Sequence, residues 1–180
     1  MGNFYKYASK LINIEQGYSD RASDKGGPTK YGITLATWQE YGYDKNGDGK
    51  IDAEDVKLIT VSEATAIAKR AYWDVLKGDE IRNQSIAEFL VDWGYNSGTG
   101  TAAGHVQKIL GIEPTGHVGE VTVKAINSDN QQKLFNELKT DRLKFVEEIA
   151  AHNPSQEVNE HGWENRVDSF FFQEEESQPS

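Results

Sequence analysis

The spacing of hydrophobic positions predicts a mainly helical protein. Phe4, Ala8 and Leu11 recur at helical intervals near the amino terminus, and Glu15 falls on the same stripe. Comparable spacing predicts further helices in the segments LATWQEYGY, TVSEATAIAKRAYWDVL, IAEFLVDWGYNSG, AAGHVQKIL, VTVKAIN, NQQKLFNELKTDRLKFVEEIAAH and WENRVDSFF. The sequence has no sustained alternation of polar and apolar residues, so we expect at most a small β-hairpin, between Gly17 and Ile33.

Local signals predict where three of these helices begin. Thr34 precedes LATWQEYGY as an N-cap, and Thr60 stands three residues before Glu63, the spacing of a capping box. Ser85 is the expected cap of the IAEFLVDWGYNSG helix. The helix after Thr60 is expected to bury one face, formed by Ile67, Ala71 and Val75.

Composition excludes several classes of function. The chain has 180 residues, 37% of them hydrophobic, and can bury one sizeable core. It has no cysteine, which excludes disulfides, thiolate catalysis and cysteine-ligated zinc, and its four histidines lack ligand spacing. A net charge of −10 offers no electrostatic footprint for nucleic acid or an anionic membrane. We therefore expect no nucleic-acid partner and no stable membrane insertion. We also expect a monomer.

The segment DKNGDGKIDAED has the spacing of a cation-binding loop, with glycine Gly49 at the sharp turn. The expected oxygen ligands are Asp44, Asn46, Asp48, the carbonyl of Lys50, Asp52 and Asp55. The loop resembles an EF-hand, and a dockerin-type calcium loop more closely, because its last ligand is aspartate rather than glutamate. We expect one structural Ca²⁺, with Mg²⁺ as the alternative that the shorter Asp55 side chain leaves open. Sensor modules usually pair two such loops, so a single loop favours a structural role.

Glu15 stands where an apolar helix stripe meets a polar, glycine-rich loop. Burial and the unpaired carbonyls of a helix end would both raise the pKa of this carboxyl group, which suits a general acid. The alternative is a solvated glutamate at a helix end. The loop behind it supplies Asp20, Asp24, Thr29 and Thr34 as candidates for positioning a water molecule.

The stretch EQGYSDRASDKGGPTKYGIT resembles the signature of glycoside hydrolase family 108, the lysozyme-like muramidases. That signature has Glu-Gly-Gly-Tyr, an aspartate, and then Gly-Gly-Pro-Thr-Lys-Tyr-Gly-Ile-Thr; Gln16 departs from it. The resemblance implies a lysozyme-like helical fold with an inserted EF-hand-like loop, and Glu15 as the catalytic acid. The second carboxylate is Asp24 or, failing that, Asp20. The expected substrate contacts are Tyr18, Asp20, Thr29, Tyr31, Thr34 and Asn96, the last through an acetamido group.

The second half resembles the peptidoglycan-binding region that accompanies this family. DWGYNSG is followed by VQKILGIEPTGHVGEVTVKAIN, with Gly116, Gly119 and Thr122 on a Gly-x-x-Gly-x-x-Thr pattern, and by GWENR. Trp93, Tyr95 and Trp163 are more readily interpreted as core than as sugar platforms. We expect a catalytic region at 1–92, a peptidoglycan-binding-like helical region at 93–172 packed into the same globule, and a flexible acidic tail at 173–180.

Three functions follow from these features. The first is an N-acetylmuramidase that cleaves the β-1,4 bond between N-acetylmuramic acid and N-acetylglucosamine without a catalytic cofactor, as a phage endolysin or a secretion-associated wall-remodelling enzyme. The second is a non-catalytic peptidoglycan-binding or secretion-accessory protein, favoured by Gln16. The third is a calcium-dependent interaction module.

The amino terminus, MGNFYKYASKLINIEQGY, has neither an uninterrupted apolar stretch nor a small-residue cleavage site. We expect synthesis in the cytoplasm without a cleaved signal peptide. Action in the periplasm or cell wall then requires export through a holin or another membrane pore.

Overall fold

The computed structural model describes residues 1–14, 17–19 and 27–174, and only the backbone of 12–14 and 156–158. In this part of the chain the protein is mainly helical, as the hydrophobic spacing predicts. The helices are α1 (Phe4–Ile14), α2 (Leu35–Tyr41), α3 (Ala53–Lys57), α4 (Val61–Ala68), α5 (Gln84–Ser97), α6 (Thr99–Ile109), α7 (Glu120–Ser128), α8 (Gln131–His152) and α9 (Glu157–Asp168). A π-helical turn spans Lys69–Trp73, and short 3₁₀ turns span Gly78–Glu80 and Pro154–Gln156. None of the described helices is both long and apolar enough to cross a membrane.

Among the residues that the structure describes, the small antiparallel sheet has three strands, whereas the sequence predicts at most a two-stranded hairpin. Its strands are β1 (Tyr18–Ser19), β2 (Thr29–Lys30) and β3 (Ile33–Thr34), in the order β1-β2-β3. Each strand has only two residues, which is too short for a period-two pattern to show in the sequence.

The chain divides into two compact units. One is Phe4–Asp74, and the other combines Met1–Asn3 with Val75–Ser180. The predicted functional boundary between residues 92 and 93 falls inside α5 and stays a prediction. The unit Phe4–Asp74 contains the sheet and the DKNGDGKIDAED loop.

Aromatic side chains form the core of the unit Phe4–Asp74. Phe4 and Tyr7 on α1 pack against Trp73, with ring centroids 5.6 and 6.3 Å apart, and all three are almost fully buried. Trp38 on α2 is also buried, and Gly42 follows that helix because a Cβ atom there would lie 2.2 Å from the Trp38 ring. The helical stripe read from Phe4 and Leu11 is therefore a core face.

The π-helical turn changes the predicted face of the helix after Thr60. Ile67 is buried as expected, but Val75 is 40% exposed, and Trp73 and Leu76 are buried instead. A π-helical turn inserts an extra residue into the helix, which rotates every later side chain relative to a regular 3.6-residue pattern. The helix also ends with this turn, so Val75 lies past its end, in the turn at 74–77, and the prediction that Val75 shares the face of Ile67 is wrong.

Two of the three predicted helix caps are confirmed. The Thr34 hydroxyl accepts from the Thr37 N–H, and Thr60 with Glu63 forms a complete capping box. The Ser85 prediction is wrong, because the Asn83 side chain caps α5 by accepting from the Ile86 N–H at 3.0 Å. Both residue types are good caps, and the choice between them depended on where the helix begins.

In the unit containing Val75–Ser180, α5 is the central helix. Its Phe89 packs edge-on against Phe135 of α8 and Phe170 near the carboxyl terminus, each with centroids 5.5 Å apart. α8 buries Leu134 and Leu138. The extended segment after α9 is tied to α5 by the Gln173 N–H, which donates to the Ser85 hydroxyl at 2.9 Å.

Candidate functional site

The strand register divides the small sheet into two faces. Ser19 pairs with Thr29, and Thr29 pairs with Thr34, so these three hydroxyl side chains share one face. We call Ser19, Thr29 and Thr34 the hydroxyl face. The opposite face carries Tyr18, Lys30 and Ile33, and Ile33 is fully buried.

This register brings some predicted substrate-binding residues together and separates others. Thr29 and Thr34 lie side by side on the hydroxyl face, and each is half-buried. Tyr18 lies on the opposite face, where the Lys57 ammonium is 5.3 Å from its ring centroid. Ser19 also lies on the hydroxyl face; no local sequence pattern marks it, because only the strand register places it beside Thr29.

Thr34 belongs to a row of hydroxyl groups that continues beyond the sheet. Its hydroxyl accepts from the Thr37 N–H at 3.2 Å and donates to the Thr37 hydroxyl at 3.0 Å. The Thr37 hydroxyl lies 3.3 Å from the Tyr72 hydroxyl, on the π-helical turn. Burial raises the pKa of Tyr72, so its phenol stays protonated at neutral pH.

The β2–β3 hairpin turns through Tyr31 and Gly32, which both have positive φ, 52° and 77°. Two positive φ values in a two-residue loop are the geometry of a type I′ turn, where asparagine or glycine is favoured. A tyrosine in the left-handed region costs about 1–2 kcal/mol. The hairpin tip therefore holds Tyr31, itself a predicted substrate contact, at an energetic cost.

The predicted catalytic carboxylates lie outside the described residues. This applies to Glu15, Asp24 and Asp20, and to Gln16. In the sequence, Glu15 and Gln16 lie between the end of α1 at Ile14 and the start of β1 at Tyr18, and Asp20 and Asp24 lie between β1 and β2. Their chemical roles therefore rest on the sequence.

Two lysines, Lys30 and Lys57, connect α3 to the face of the sheet that carries Tyr18, Lys30 and Ile33. The Lys30 ammonium donates to the backbone carbonyl of Lys57, the last residue of α3, at 2.6 Å. The Lys57 side chain in turn reaches over Tyr18. The helix that follows the DKNGDGKIDAED loop thus supports the strand that carries Thr29.

The loop itself brings three of its predicted ligands together. One carboxylate oxygen each from Asp44, Asp48 and Asp55 lie within 4.8 Å of one another. Oxygens that share a Ca²⁺ ion at about 2.3–2.6 Å can be at most about 5 Å apart, so this spacing fits one ion. Gly49 has a φ of 83°, as the sixth position of such a loop requires.

Backbone N–H groups organise the loop around its carboxylates. Fully buried Asp55 accepts from the N–H groups of Asp52, Lys45 and Asn46 at 2.9, 2.8 and 3.3 Å. These bonds, the one from Asp52 foremost, lower the pKa of Asp55. Asp44 accepts from Gly47 and Gly49 at 2.9 and 2.7 Å.

The remaining predicted ligands have local roles. The Asn46 side chain accepts from the Asp48 N–H at 3.2 Å, and Asp52 caps α3 by accepting from the Glu54 N–H at 3.1 Å. Lys50 donates its N–H to Asp48 at 2.9 Å, and ligation by its carbonyl stays a prediction. An aspartate at the ninth position often reaches the ion through water, which is compatible with the capping role of Asp52.

Glu63 anchors this loop to the start of α4. Its carboxylate pairs with the Lys45 ammonium and accepts from the Tyr43 hydroxyl at 2.9 Å and the Thr60 N–H at 3.0 Å. Burial alone would raise the pKa of Glu63, but these hydrogen bonds outweigh it and lower the pKa from 4.5 to about 2.

We expect Glu63→Gln to destabilise the protein at pH 7 and progressively less in acid. With a side chain only 24% exposed, the loss should be about 1–2 kcal/mol, at the low end for hydrogen bonds to a charged group. The folded pKa lies below the unfolded value, so this stabilisation is complete above pH 4.5 and disappears as the pH falls toward 2. Urea unfolding of both proteins in chelator measures it; a pH-independent difference would contradict it.

In the other unit, Asn96 is engaged by its own helix. Its side-chain N–H₂ donates to the backbone carbonyl of Asp92 at 2.9 Å and to its carboxylate at 3.3 Å. Asn96 is exposed, and its predicted acetamido contact stays a prediction. Trp93 is fully buried and Tyr95 nearly so, which confirms them as core, while Trp163 is half-buried.

Asp92 is the centre of a buried charge cluster, with two arginines. Its carboxylate accepts from Arg142 at 2.9 Å and from the Arg166 guanidinium at 2.8 and 3.0 Å. The carboxylate is fully buried, and the arginine side chains are 4% and 11% exposed. The cluster joins α5, α8 and α9.

Gln107 explains part of the Gly-x-x-Gly-x-x-Thr pattern. Its buried side chain donates to the Thr122 hydroxyl at 3.1 Å and to the His117 carbonyl at 3.0 Å, and accepts from the Gly116 N–H at 3.0 Å. The pattern therefore holds the connection between α6 and α7 in place.

Comparison with known proteins gives a family match in each half of the chain. A family model described as Glycosyl hydrolase 108 matches residues 8–98, and one described as Predicted Peptidoglycan domain matches residues 101–168. A solved structure of SagA from Brucella abortus is similar at a TM-score of 0.77 and 28% identity, covering 92% of this chain and 90% of that one. No curated protein sequence matches the chain. The lysozyme-like helical fold is confirmed.

Proposed function

Because this chain belongs to the glycosyl hydrolase 108 family, we propose that it is an N-acetylmuramidase, cleaving the β-1,4 bond between N-acetylmuramic acid and N-acetylglucosamine. The observation that supports this substrate is the match of a peptidoglycan domain directly after the hydrolase match. Peptidoglycan glycan strands are then the natural partner of both regions. An endolysin and a secretion-associated enzyme would both use this activity.

In the proposed reaction, Glu15 protonates the leaving glycosidic oxygen. Asp24, or failing that Asp20, orients a water molecule on the other face of the sugar ring. Carboxyl groups about 6.5–9.5 Å apart leave room for that water and give inversion, while about 5 Å permits a covalent intermediate and retention. We favour inversion, because Asp24 follows Glu15 across a loop.

The hydroxyl face supplies the polar groups that such a site needs beside its carboxylates. Thr29 lies between Ser19 and Thr34 across the strands, and within the described chain the Thr29 hydroxyl has no hydrogen-bond partner. It is therefore available to a sugar hydroxyl, an acetamido group or water.

Muropeptide analysis of digested sacculi tests this proposal. A muramidase leaves reducing N-acetylmuramic acid ends, whereas a glucosaminidase, a lytic transglycosylase and a peptidase each leave different ends. Products of any of the other three classes would contradict it.

Gln16 favours a second candidate, a non-catalytic peptidoglycan-binding or secretion-accessory protein. It adds a side chain where the family signature has glycine, beside Glu15. Retention on purified peptidoglycan without release of soluble fragments would identify this function.

We also propose that the protein reaches the wall through a holin or another pore. Phe4, Tyr7 and Leu11 of α1 are core residues, so removal of this segment would take away part of the fold. The protein recovered from the wall should retain Phe4, as mass spectrometry of its amino-terminal peptide would show.

We further propose that the DKNGDGKIDAED loop binds one structural Ca²⁺ through Asp44, Asp48 and Asp55, with Asn46, Asp52 and the Lys50 carbonyl completing the site. The supporting observation is the convergence of three carboxylate oxygens at a spacing that one ion can fill. Catalysis itself uses no cofactor in this proposal.

Chelation should lower the melting temperature. An ion that binds only the folded state stabilises it by about 2.7 kcal/mol at a hundredfold excess over its Kd. Asp48→Asn, at an exposed ligand, should match the parent in chelator but gain much less stability from calcium. Activity should fall only indirectly, because α3 supports β2. Equal melting temperatures in chelator and in millimolar calcium would overturn the site, and a preference for magnesium would point to the short Asp55 side chain.

A further inference from the structure

We propose that Tyr72 and Thr37 are positioning residues, which hold the Thr34 hydroxyl as a hydrogen-bond acceptor toward the glycan or the attacking water. This inference rests on the proposed muramidase function. It adds two residues outside the signature motif, one on α2 and one on the π-helical turn.

The donors and acceptors of Thr34 can be counted. A hydroxyl group has one proton and two lone pairs. The proton of Thr34 goes to the Thr37 hydroxyl at 3.0 Å, and one lone pair accepts the Thr37 N–H at 3.2 Å. One lone pair remains on a half-buried side chain that shares its face with Ser19 and Thr29. Thr34 is thereby selective for a donor: a sugar hydroxyl, an acetamido N–H or water.

Tyr72 controls this arrangement through Thr37. The two hydroxyl oxygens are 3.3 Å apart, and either can be the donor. In both directions the Thr37 oxygen keeps a lone pair for the Thr34 proton, and the phenol fixes the rotation of the Thr37 hydroxyl. Without Tyr72, the Thr37 hydroxyl can rotate and donate its proton to Thr34, which reverses the hydrogen bond between the two hydroxyl groups. Thr34 then uses its second lone pair for this bond and can no longer accept a hydrogen bond from the substrate.

The position of Tyr72 depends on the π-helical turn. Such turns are rare and occur often at functional sites. Here the turn places Trp73 fully in the core while Tyr72 stays half-buried and reaches Thr37. The N-cap of α2 is the Thr34 hydroxyl, which accepts from the Thr37 N–H, and substitution of Tyr72 leaves this bond in place. If Tyr72 had a purely structural role, its substitution would therefore leave kcat/KM unchanged, whereas we expect kcat/KM to fall.

The test compares Tyr72→Phe, Thr37→Val, the double variant and Thr37→Ser, using soluble uncrosslinked glycan strands. Each of the first two should lower kcat/KM by about threefold to tenfold, the effect of one lost hydrogen bond. The double variant should be no worse than Thr37→Val alone, because both changes interrupt the same path. Thr37→Ser keeps the hydroxyl and should retain parental kinetics.

Thr65→Val is the matched control. Its hydroxyl donates to the Val61 carbonyl at 2.8 Å in the same unit, so the change is chemically identical but lies outside the row. It should shift the melting temperature without changing kcat/KM. Parental kinetics for Tyr72→Phe, multiplied losses in the double variant, or failure of Thr37→Ser to retain activity would each overturn the inference while the muramidase function stands. A wild-type protein that does not cleave the strands would overturn both.

Discussion

Glu15→Gln is expected to lower kcat on peptidoglycan by about a hundredfold or more, while leaving folding and substrate binding nearly intact. The amide preserves the shape of the side chain but has no proton to transfer to the leaving oxygen. Protonation contributes to the transition state rather than to the bound substrate, so the effect should appear in kcat and not in KM.

Hydrolysis of sacculi by variants with matched thermal unfolding measures this effect. Glu137→Gln makes the same chemical change at the partly exposed carboxylate that pairs with Lys133 on α8, and should keep parental activity. Asp24→Asn should be less severe than Glu15→Gln, since an amide can still hold a water molecule. Substantial residual turnover by Glu15→Gln would assign the catalytic acid to another residue.

Asp92→Asn is expected to cost about 3–5 kcal/mol of unfolding free energy, because it leaves the buried guanidinium of Arg142 and the partly buried one of Arg166 without their counter-charge. Arg142 and Arg166 both donate hydrogen bonds to this carboxylate, at 2.8–3.0 Å. An amide replaces one accepting oxygen with a donor that faces other donors. Few single substitutions in the chain should be as damaging.

Urea unfolding of the full-length protein, followed by circular dichroism and tryptophan fluorescence, measures this loss. Glu137→Gln again serves as the control, because its ion pair with Lys133 is 3.5 Å long and exposed, and such pairs contribute about 0–1 kcal/mol. A loss below about 1 kcal/mol for Asp92→Asn would mean that the cluster contributes little net stability.

Much of the fold follows from local signals in the sequence. Thr34 and Thr60 cap helices because their side chains bond to N–H groups only three residues away. The DKNGDGKIDAED loop is equally local, since all its ligands come from consecutive residues, and the structure brings Asp44, Asp48 and Asp55 together. Interactions within about one turn of chain are what a sequence pattern encodes directly.

Interactions between residues far apart in the sequence could not be predicted from local sequence patterns. Arg142 and Arg166 lie 50 and 74 positions from Asp92, and nothing in the local sequence marks them as its partners. Tyr72 lies 35 positions from Thr37 and depends on a π-helical turn that hydropathy does not reveal. Val75 is exposed because the helix ends with this turn, before residue 75.

The cluster around Asp92 also constrains when the chain can fold during synthesis. Its last member, Arg166, is made 74 residues after Asp92, and the Gln173 N–H reaches Ser85 across 88 positions. The larger unit can therefore close only after residue 173 has left the ribosome. The unit Phe4–Asp74 contains its own core and the DKNGDGKIDAED loop, and all its residues have emerged once residue 74 has left the ribosome. Translation thus delivers the sheet and the candidate catalytic residues first, and a ribosome that stops before Arg166 leaves a chain whose Asp92 lacks one of its two cations.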